Sequence, residues 1–493
     1  MKWMPRESNT GAKKGSTGGA GQLLLVIEKS SGLIGAQLER ALREAIRAGR
    51  VRPGERLPAS RALAADLAVS RRVVVGAYEQ LVAEGWCVSR HGSGTFAAED
   101  GAAGTGRAAS QPPRPRPADV VPGQGAQSAG LPLPYDFFAG APDLASFPRA
   151  AWLRALRDAL RVAPDVALHY PDPAGVPELR AQLAARLGRA RGVLTAAPDV
   201  VVTSGARQGL AVLGRALVAG GAKRIAVEWP TVTPHIDVLT ATGLEVVRIP
   251  VGAEGIDVTA LAESDADAVV VTPAHQMPLG VALAPERRAA LIDWVAIGER
   301  LVIEDDYDAE FRYDRRPIGA LQALDPDRVA YLGSASKTLA PGLRLGWLAL
   351  PGQLVSSVTQ QKNLDDAGTP VLEQLALARM IESGAFDRHL RGARRRYSAR
   401  RTALTAALTR EIPGTKLQGM AAGLHAVARL TERVDASRLD VAARQRGVGV
   451  YPLADEDGST DSIVLGYANL SEPAIAEGIK RLAAALTEAR NGG

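Results

Sequence analysis

The sequence predicts a multidomain chain: a small winged helix-turn-helix module, mostly α with a β wing, followed by a large α/β block. Three observations predict it. At 493 residues the chain is too long for one hydrophobic core. The stretch 98–134, with Gln111-Pro112-Pro113-Arg114-Pro115-Arg116-Pro117 at its centre, lacks core-forming residues and reads as a linker partly stiffened by proline. On its two sides the apolar pattern differs, with helical spacing before it and short apolar runs alternating with amphipathic helices after it.

The composition, 46% apolar and 23% charged, is that of a globular chain and excludes a disordered or fibrous one. The single Cys87 closes no intramolecular disulfide, and beside Trp86 and Val88 it reads as a small buried side chain, which fits a reducing, cytoplasmic compartment. No apolar run approaches the roughly 18 residues a membrane span needs, and the N-terminus has no signal-peptide pattern. The expectation is a cytoplasmic protein without a membrane partner. The net charge of +6 is compatible with a polyanionic partner but also serves solubility, so it decides nothing alone.

Residues 1–21 carry Gly, Ser, Thr and Lys without periodic apolar residues and read as a disordered tail. The small module spans 22–97. Ile34, Leu38, Leu42 and Ile46 recur at helical spacing, and that helix is predicted to stop near Gly49, before Pro53-Gly54. A second helix is predicted over 60–67. Ser70 is placed to cap a third, whose Val74, Ala77, Tyr78 and Leu81 form the buried stripe while Arg71, Arg72 and Val75 face away. Arg90-His91-Gly92-Ser93-Gly94-Thr95-Phe96 reads as a tight hairpin, the wing.

In the large block, 135–493, strands are predicted at 200–203, 225–227, 268–271, 301–303, 329–332 and 345–350. Their alternation with helices predicts a mostly parallel, doubly wound sheet, in which ligands bind beyond the carboxyl ends of the strands.

The segments just past these strands carry the chemistry. Lys337 lies just past a buried strand, beside Ser334 and Ser336 and seven residues before Arg344. An amine so placed can form a Schiff base with an aldehyde-bearing phosphate ester while hydroxyls and a guanidinium hold the phosphate; a lone loop lysine is otherwise a solvated one. The strand at 301–303 runs into Glu304-Asp305-Asp306-Tyr307, where a carboxylate would keep a pyridine nitrogen protonated. An acidic cluster also suits a divalent cation, but no ligand-spaced histidines accompany it, and no metal is expected. Ser204-Gly205-Ala206 opens a helix whose amino end suits a phosphate, although the same three residues make a plain helix start. His275, after a fourth strand, can bond a phenolic oxygen or be structural.

Two family resemblances bring these residues together. Gly49-Arg50-Val51-Arg52-Pro53-Gly54-Glu55-Arg56-Leu57-Pro58-Ala59-Ser60-Arg61, then Val69-Ser70-Arg71 and Ala77-Tyr78-Glu79-Gln80-Leu81, resemble the GntR family of winged helices. That resemblance implies double-stranded operator DNA as a partner and Arg61, Ser70, Arg71, Arg72, His91 and Gly92 as the contacting residues. Val73 stands where that family commonly has Thr, so one hydroxyl contact to phosphate is missing. The large block resembles the α/β fold-type I, pyridoxal-phosphate-dependent aminotransferases, in particular the aminotransferase-like half of MocR/GabR-type transcription regulators. Asp136 to Asp143, Tyr170-Pro171-Asp172-Pro173-Ala174-Gly175, Thr272-Pro273-Ala274-His275-Gln276, Glu304 to Asp308 and Ser334 to Lys337 carry it. It implies pyridoxal 5'-phosphate as cofactor and Lys337 as the Schiff-base lysine. Asp305 would meet the pyridine nitrogen, and Tyr307 and His275 the phenolic oxygen. Gly205, Ala206, Ser334, Ser336 and Arg344 would surround the phosphate.

Two departures from the aminotransferase pattern bear on function. Val232 stands where the family places a ring-stacking Tyr, and no arginine precedes Ser462-Ile463-Val464-Leu465-Gly466, where the substrate carboxylate is usually clamped, which leaves Arg429 or Arg207 as the candidates to take its place. The sequence therefore predicts a DNA-binding regulator that senses the cofactor or a small amine or amino-acid effector, with transamination weak or absent. The alternatives are a working aminotransferase with an accessory DNA-binding domain and an architectural DNA-binding protein with an empty fold. A homodimer is expected, since two-fold symmetry serves both an operator and a fold-type I site.

Overall fold

The computed structural model describes residues 34–90, 93–98, 133–231, 233–313, 318–455 and 457–491. The tail, most of the linker, His91, Gly92 and Val232 lie outside them. Among the described residues no helix is long and apolar enough to cross a membrane.

The head follows the sequence pattern closely. Helix α1 (Ile34–Arg47) buries Leu38, Leu42 and Ile46 and ends at Gly49, whose φ of 68° reverses the chain. α2 (Ser60–Asp66) and α3 (Arg71–Ala83) follow, and Ser70 caps α3 by accepting the Val73 amide at 3.4 Å. Val74, Ala77, Tyr78 and Leu81 pack on α1 with Leu63, Trp86 and Cys87. The wing pairs β1 (Cys87–Arg90) with β2 (Gly94–Ala97), Arg90 opposite Gly94. One polar contact lies in this apolar core. Arg43 of α1 donates to both carboxylate oxygens of Glu84 just past α3, at 2.6 and 2.9 Å, and Gln80 donates to the same carboxylate. Burial alone would raise the Glu84 pKa, but the charge and hydrogen bonds of Arg43 win and hold it low.

The large domain begins with β3 (Tyr135–Asp136), α4 (Arg149–Val162) and α5 (Pro177–Arg191). An alternating run follows: β4 (Val200–Thr203), α6 (Ala206–Ala219), β5 (Arg224–Trp229), α7 (Thr233–Ala241), β6 (Glu245–Gly252) and β7 (Gly255–Ile256). Then come α8 (Val258–Ala262), β8 (Ala268–Val271), α9 (Pro285–Ala296), β9 (Leu301–Asp306), β10 (Val329–Ser334) and β11 (Gly346–Ala349). These strands form one eight-stranded sheet in the order β4-β11-β10-β9-β8-β5-β6-β7. The pairs from β10 through β6 are parallel, whereas β11 runs against both β10 and β4 and β7 runs against β6, so the sheet is mixed.

All six strands expected from the sequence are present. The sequence pattern does not yield β6 and β7, nor a second sheet. After α10 (Gly352–Asp366), α11 (Val371–Glu382) and the long α12 (Ala385–Glu411) come β12 (Lys416–Gln418), β13 (His425–Asp435), α13 (Ala436–Gln445) and β14 (Val448–Gly449). The chain closes with β15 (Tyr451–Pro452), β16 (Ser459–Gly466) and α14 (Glu472–Asn491). Here β12-β13-β16-β15 make a four-stranded antiparallel sheet, and β14 pairs with β3, tying the start of the domain to its end.

The head rests on α9 of the large domain. Ala289 joins the head's apolar core, Arg47 reaches Asp293 at 2.9 Å, and a side chain at Gly85, where φ is 80°, would collide with Pro285. Removing one partner of a buried ion pair leaves the other charge dry. Glu84→Ala is therefore expected to destabilise the head by about 3 to 5 kcal/mol in chemical denaturation, and Arg43→Met/Glu84→Leu to recover most of that loss.

Candidate functional site

A cleft opens where the parallel strands end. β10 stops at Ser334, and the next turn is set by Ser336, whose amide and hydroxyl both meet Ser334 Oγ, at 3.0 and 2.8 Å. That turn projects Lys337 into the cleft, where Nζ donates to the Gly140 carbonyl at 2.7 Å. The enclosed amine is costly to charge, and although Asp308 and Asp305 oppose that effect the Lys337 pKa falls to about 8.

Asp305 enters from β9 and is buried. Burial first, then the neighbouring Asp306, raise its pKa to about 7 against the pull of Lys337. His235, in α7, lies 3.8 Å from the Asp305 carboxylate, and burial with Arg207 and Lys337 nearby lowers its pKa to about 4, so it is neutral. Tyr307, two residues beyond Asp305, lines the cleft beside it.

From the sequence, His275 is expected near the phenolic oxygen. It does not line the cleft; it stands behind Tyr307, with Nδ1 3.1 Å from the tyrosine hydroxyl and 2.9 Å from Asp308. His425 packs on its other side, ring centroids 4.9 Å apart, and is held through Nε2 by the Pro278 carbonyl. His275, Asp308 and His425 thus bring one ligating atom each within 4.8 Å of one another. The adjacent Glu304, Asp305 and Asp306 go to different partners and form no shared cation site.

The opposite end of the cleft gathers donors. Gly205, with φ of 84°, is the N-cap of α6, and a Cβ there would lie 3.0 Å from the Arg344 guanidinium, so the glycine lets that guanidinium lie against the backbone. Arg344, itself at φ 50°, is fixed by the Ser204 carbonyl at 2.6 Å. Ala206 and Arg207, in the first turn of α6, line the same end. The donor set fits pyridoxal phosphate: an amine for its aldehyde in Lys337, a carboxylate for its ring nitrogen in Asp305, a hydroxyl for its phenolic oxygen in Tyr307. Ser334, Ser336, Arg344 and the α6 amino end suit its phosphate.

Of the residues expected at the cofactor, Ala206, Asp305, Tyr307, Ser334, Ser336, Lys337 and Arg344 line the cleft, and Gly205 supports it from behind Arg344. Phe138, Gly140, His235 and Met277 also line it without an assignment from sequence, as does Arg207, a sequence candidate for the carboxylate clamp. Thr233-Pro234-His235 at the start of α7 offers no sequence signal for the histidine, since it reads as an ordinary helix opening. In the head, Arg61, Ser70, Arg71 and Arg72 are all exposed along the α2–α3 edge, and Arg71 Nε lies 3.4 Å from Ser60 Oγ.

One buried arginine joins cleft and head. Arg288 of α9 donates to the carbonyls of Leu283 at 3.3 Å, Gly319 at 3.1 Å and Pro273 at 3.4 Å. Pro273 follows Thr272, which lines the cleft and is bonded through its amide and hydroxyl to Glu228. Gly319 is the surface on which the head rests, since a Cβ there would lie 2.7 Å from Gln80 and 3.2 Å from Glu84. Burial lowers the Arg288 pKa most, with Glu304 and Glu84 opposing it from the two sides.

Comparison with known proteins agrees with this arrangement. Residues 136–482 match the family "Aminotransferase class I and II" and residues 34–97 match "Bacterial regulatory proteins, gntR family". The HTH-type pyridoxine biosynthesis transcriptional regulator PdxR of Corynebacterium glutamicum is 33% identical over 89% of this chain and 93% of its own length. The probable rhizopine catabolism regulatory protein MocR of Rhizobium meliloti is 32% identical over 95% and 97%. Among solved structures, an archaeal alanine:glyoxylate aminotransferase superposes with a TM-score of 0.67 at 29% identity, over 73% of this chain and 92% of that one. The kynurenine aminotransferase of Pyrococcus horikoshii gives 0.65 at 28%, over 72% and 90%. With a gntR-type head and an aminotransferase class I and II domain in one chain, this protein belongs to the MocR-type family of HTH transcription regulators.

Proposed function

We propose that this regulator senses the state of its cofactor site, and that a small amine reaching Lys337 changes how the head is held on α9. The observation that carries the reading is Arg288, one guanidinium bonded both to the loop behind the cleft and to the surface under the head. Bound in the cleft, pyridoxal phosphate supplies an aldehyde carbon at which amines exchange and a ring that withdraws electrons. The chain's residues do the rest. Lys337 is held by Gly140 in a neutral-prone state, Asp305 keeps a proton at the ring nitrogen, and Tyr307, backed by His275 and Asp308, orients its hydroxyl toward the phenolic oxygen. A change at Thr272–Pro273 shifts one acceptor of Arg288, and the two arrangements of the head differ in energy by that contact.

The completeness of the Lys337, Asp305 and Tyr307 set favours one other reading, an active aminotransferase with an accessory head. Repeated turnover of an amino acid and keto acid pair, without effect on DNA affinity, would establish that reading instead. For DNA we propose contacts from Arg61, Ser70, Arg71 and Arg72 together with His91 and Gly92, and for assembly a homodimer, which sedimentation at micromolar concentration tests.

Four outcomes are expected. Lys337→Ala loses the visible band of lysine-bound cofactor and resists borohydride labelling while keeping the fold. Attack on the aldehyde requires the neutral amine, so the rate of cofactor capture by the apoprotein, followed by stopped-flow absorbance, rises with pH up to about 8 and then levels, instead of climbing toward 10.5. Arg71→Ala weakens binding to a duplex selected by the wild-type chain by about 1 to 3 kcal/mol if it reads a base, or lowers the salt slope by about one if it meets phosphate. Arg288→Met retains the cofactor band but loses any dependence of DNA affinity on added amine, a coupling typically of about 1 to 3 kcal/mol.

A further inference from the structure

We propose that the effector is a primary amine that carries no carboxylate, with an apolar body. This rests on the reading of the site as an amine sensor. Among the described residues the cleft is lined by four groups that carry or can carry positive charge: Lys337, Arg207, Arg344 and His235. Lys337 is the reacting amine. His235 is neutral, because burial, Arg207 and Lys337 bring its pKa to about 4. Arg344 is locked to the Ser204 carbonyl at the amino end of α6, and Arg207, in the first turn of the same helix, lies close enough to His235 to lower its pKa.

The other side of Lys337 is apolar. Phe138, Ala139 and Met277 line it, and they pack on Val464 of β16, Val427 of β13 and Tyr451. Val464 is fully buried in that cluster. From Phe138 and Gly140 the space continues into a second cavity bounded by Ala141, Pro142, Leu144 and Pro341. Its polar side chains present acceptors, the Asn469 amide nitrogen being given to the Asp136 carbonyl at 3.1 Å. Asn469 Oδ1 is buried without a hydrogen-bond partner, and Asp143 is a carboxylate whose own cations, Arg400 at 3.0 Å and Arg396 at 3.4 Å, lie behind it and do not line the cavity. Arg429 and Arg433, the two arginines of β13, are exposed, Arg429 pairing with Asp461 at 3.0 Å and Arg433 with Asp455 and Asp457.

A carboxylate attached next to the reacting amine would therefore leave water for an apolar wall, and a distal one would meet a carboxylate and an unpaired carbonyl oxygen. Neither of these walls carries a cationic side chain, and burying an unpaired charge is strongly unfavourable. An uncharged hydrocarbon body gains from the same walls. The covalent step is an exchange. The incoming amine nitrogen bonds to the cofactor carbon, Lys337 Nζ leaves it, and one proton passes from the entering to the leaving nitrogen, with no oxidation or reduction.

The test uses the full-length protein with cofactor bound and two pairs of matched probes, 2-phenylethylamine against L-phenylalanine and pentylamine against 5-aminopentanoate. The visible cofactor spectrum is the readout. Each plain amine is expected to reach half-saturation at a concentration at least about tenfold below that of its carboxylate partner. Met277→Arg, and separately Val464→Arg, is expected to narrow or reverse the phenylethylamine preference; using two sites keeps the test valid if the buried Val464 variant does not fold. An acid that saturates as readily as its amine overturns the ligand assignment and leaves the sensor reading standing. If neither member of either pair alters the spectrum, although borohydride shows the cofactor on Lys337, the sensor reading falls and the assignment with it.

Discussion

Four carboxylates leave one strand end within five residues, Glu304, Asp305, Asp306 and Asp308, and the large domain is organised by giving each a separate partner. A strand alternates its side chains, so Glu304 and Asp306 leave one face of β9 and Asp305 the other. Glu304 accepts the Gln322 amide at 2.9 Å and lies in the field of Arg288. Asp306 takes Arg191 at 2.6 Å and the Tyr331 hydroxyl at 2.7 Å. Asp308 takes His275. Only Asp305 is left facing the cleft, with a neutral histidine beside it.

That distribution sets the electrostatics of the site. Burial raises Glu304 to about 7, with Asp306 adding to the effect, and Asp305 responds in the same way. The two side chains nevertheless act on opposite faces of the sheet. Asp305 near neutrality is a strong acceptor for a protonated ring nitrogen, because a carboxylate that resists ionisation in isolation is stabilised most by a cation brought next to it. Glu304 offers its charge to Arg288, and Glu84 in the head does the same from the far side. The buried arginine is thus shared between two domains, and loss of either acid leaves it less well compensated.

The head was legible in the sequence almost residue by residue, since its signals are local: an N-cap serine, a four-position stripe, a glycine stop. In the large domain the buried parallel strands were legible as apolar runs, and Lys337, Asp305 and Tyr307 as polar residues at or just past their carboxyl ends. β6 escaped because its residues alternate with exposed ones, so Glu245-Val246-Val247-Arg248 reads as an ordinary surface stretch. The antiparallel sheet escaped because its pairing joins segments far apart in sequence, His425 with Gly466 among them. The same distance hid the site's supports. His275 was legible as a candidate, but Tyr307 reaches the cleft from another strand and fills the place in front of it, and His425 joins them from a third segment. Side-chain direction, not residue type, separates the group that meets the ligand from the one that holds it.

A sensor needs the cofactor end and the DNA end to share an element with two arrangements, since a ligand shifts an equilibrium only by its differential affinity for the two states. The contact between head and large domain has the properties for this. Among the described residues it includes apolar groups around Ala289 and Pro285, the Arg47–Asp293 ion pair and the buried Arg288. A large apolar interface would hold the head in one place whatever occupied the cleft. Here the head's apolar core is built from its own residues apart from Ala289, which joins it from α9, and polar contacts lie beside it. One of those contacts, Arg288 to Pro273, ends at the residue next to the cleft wall. Under the proposed sensing, that contact is the part of the interface a molecule at Lys337 would alter.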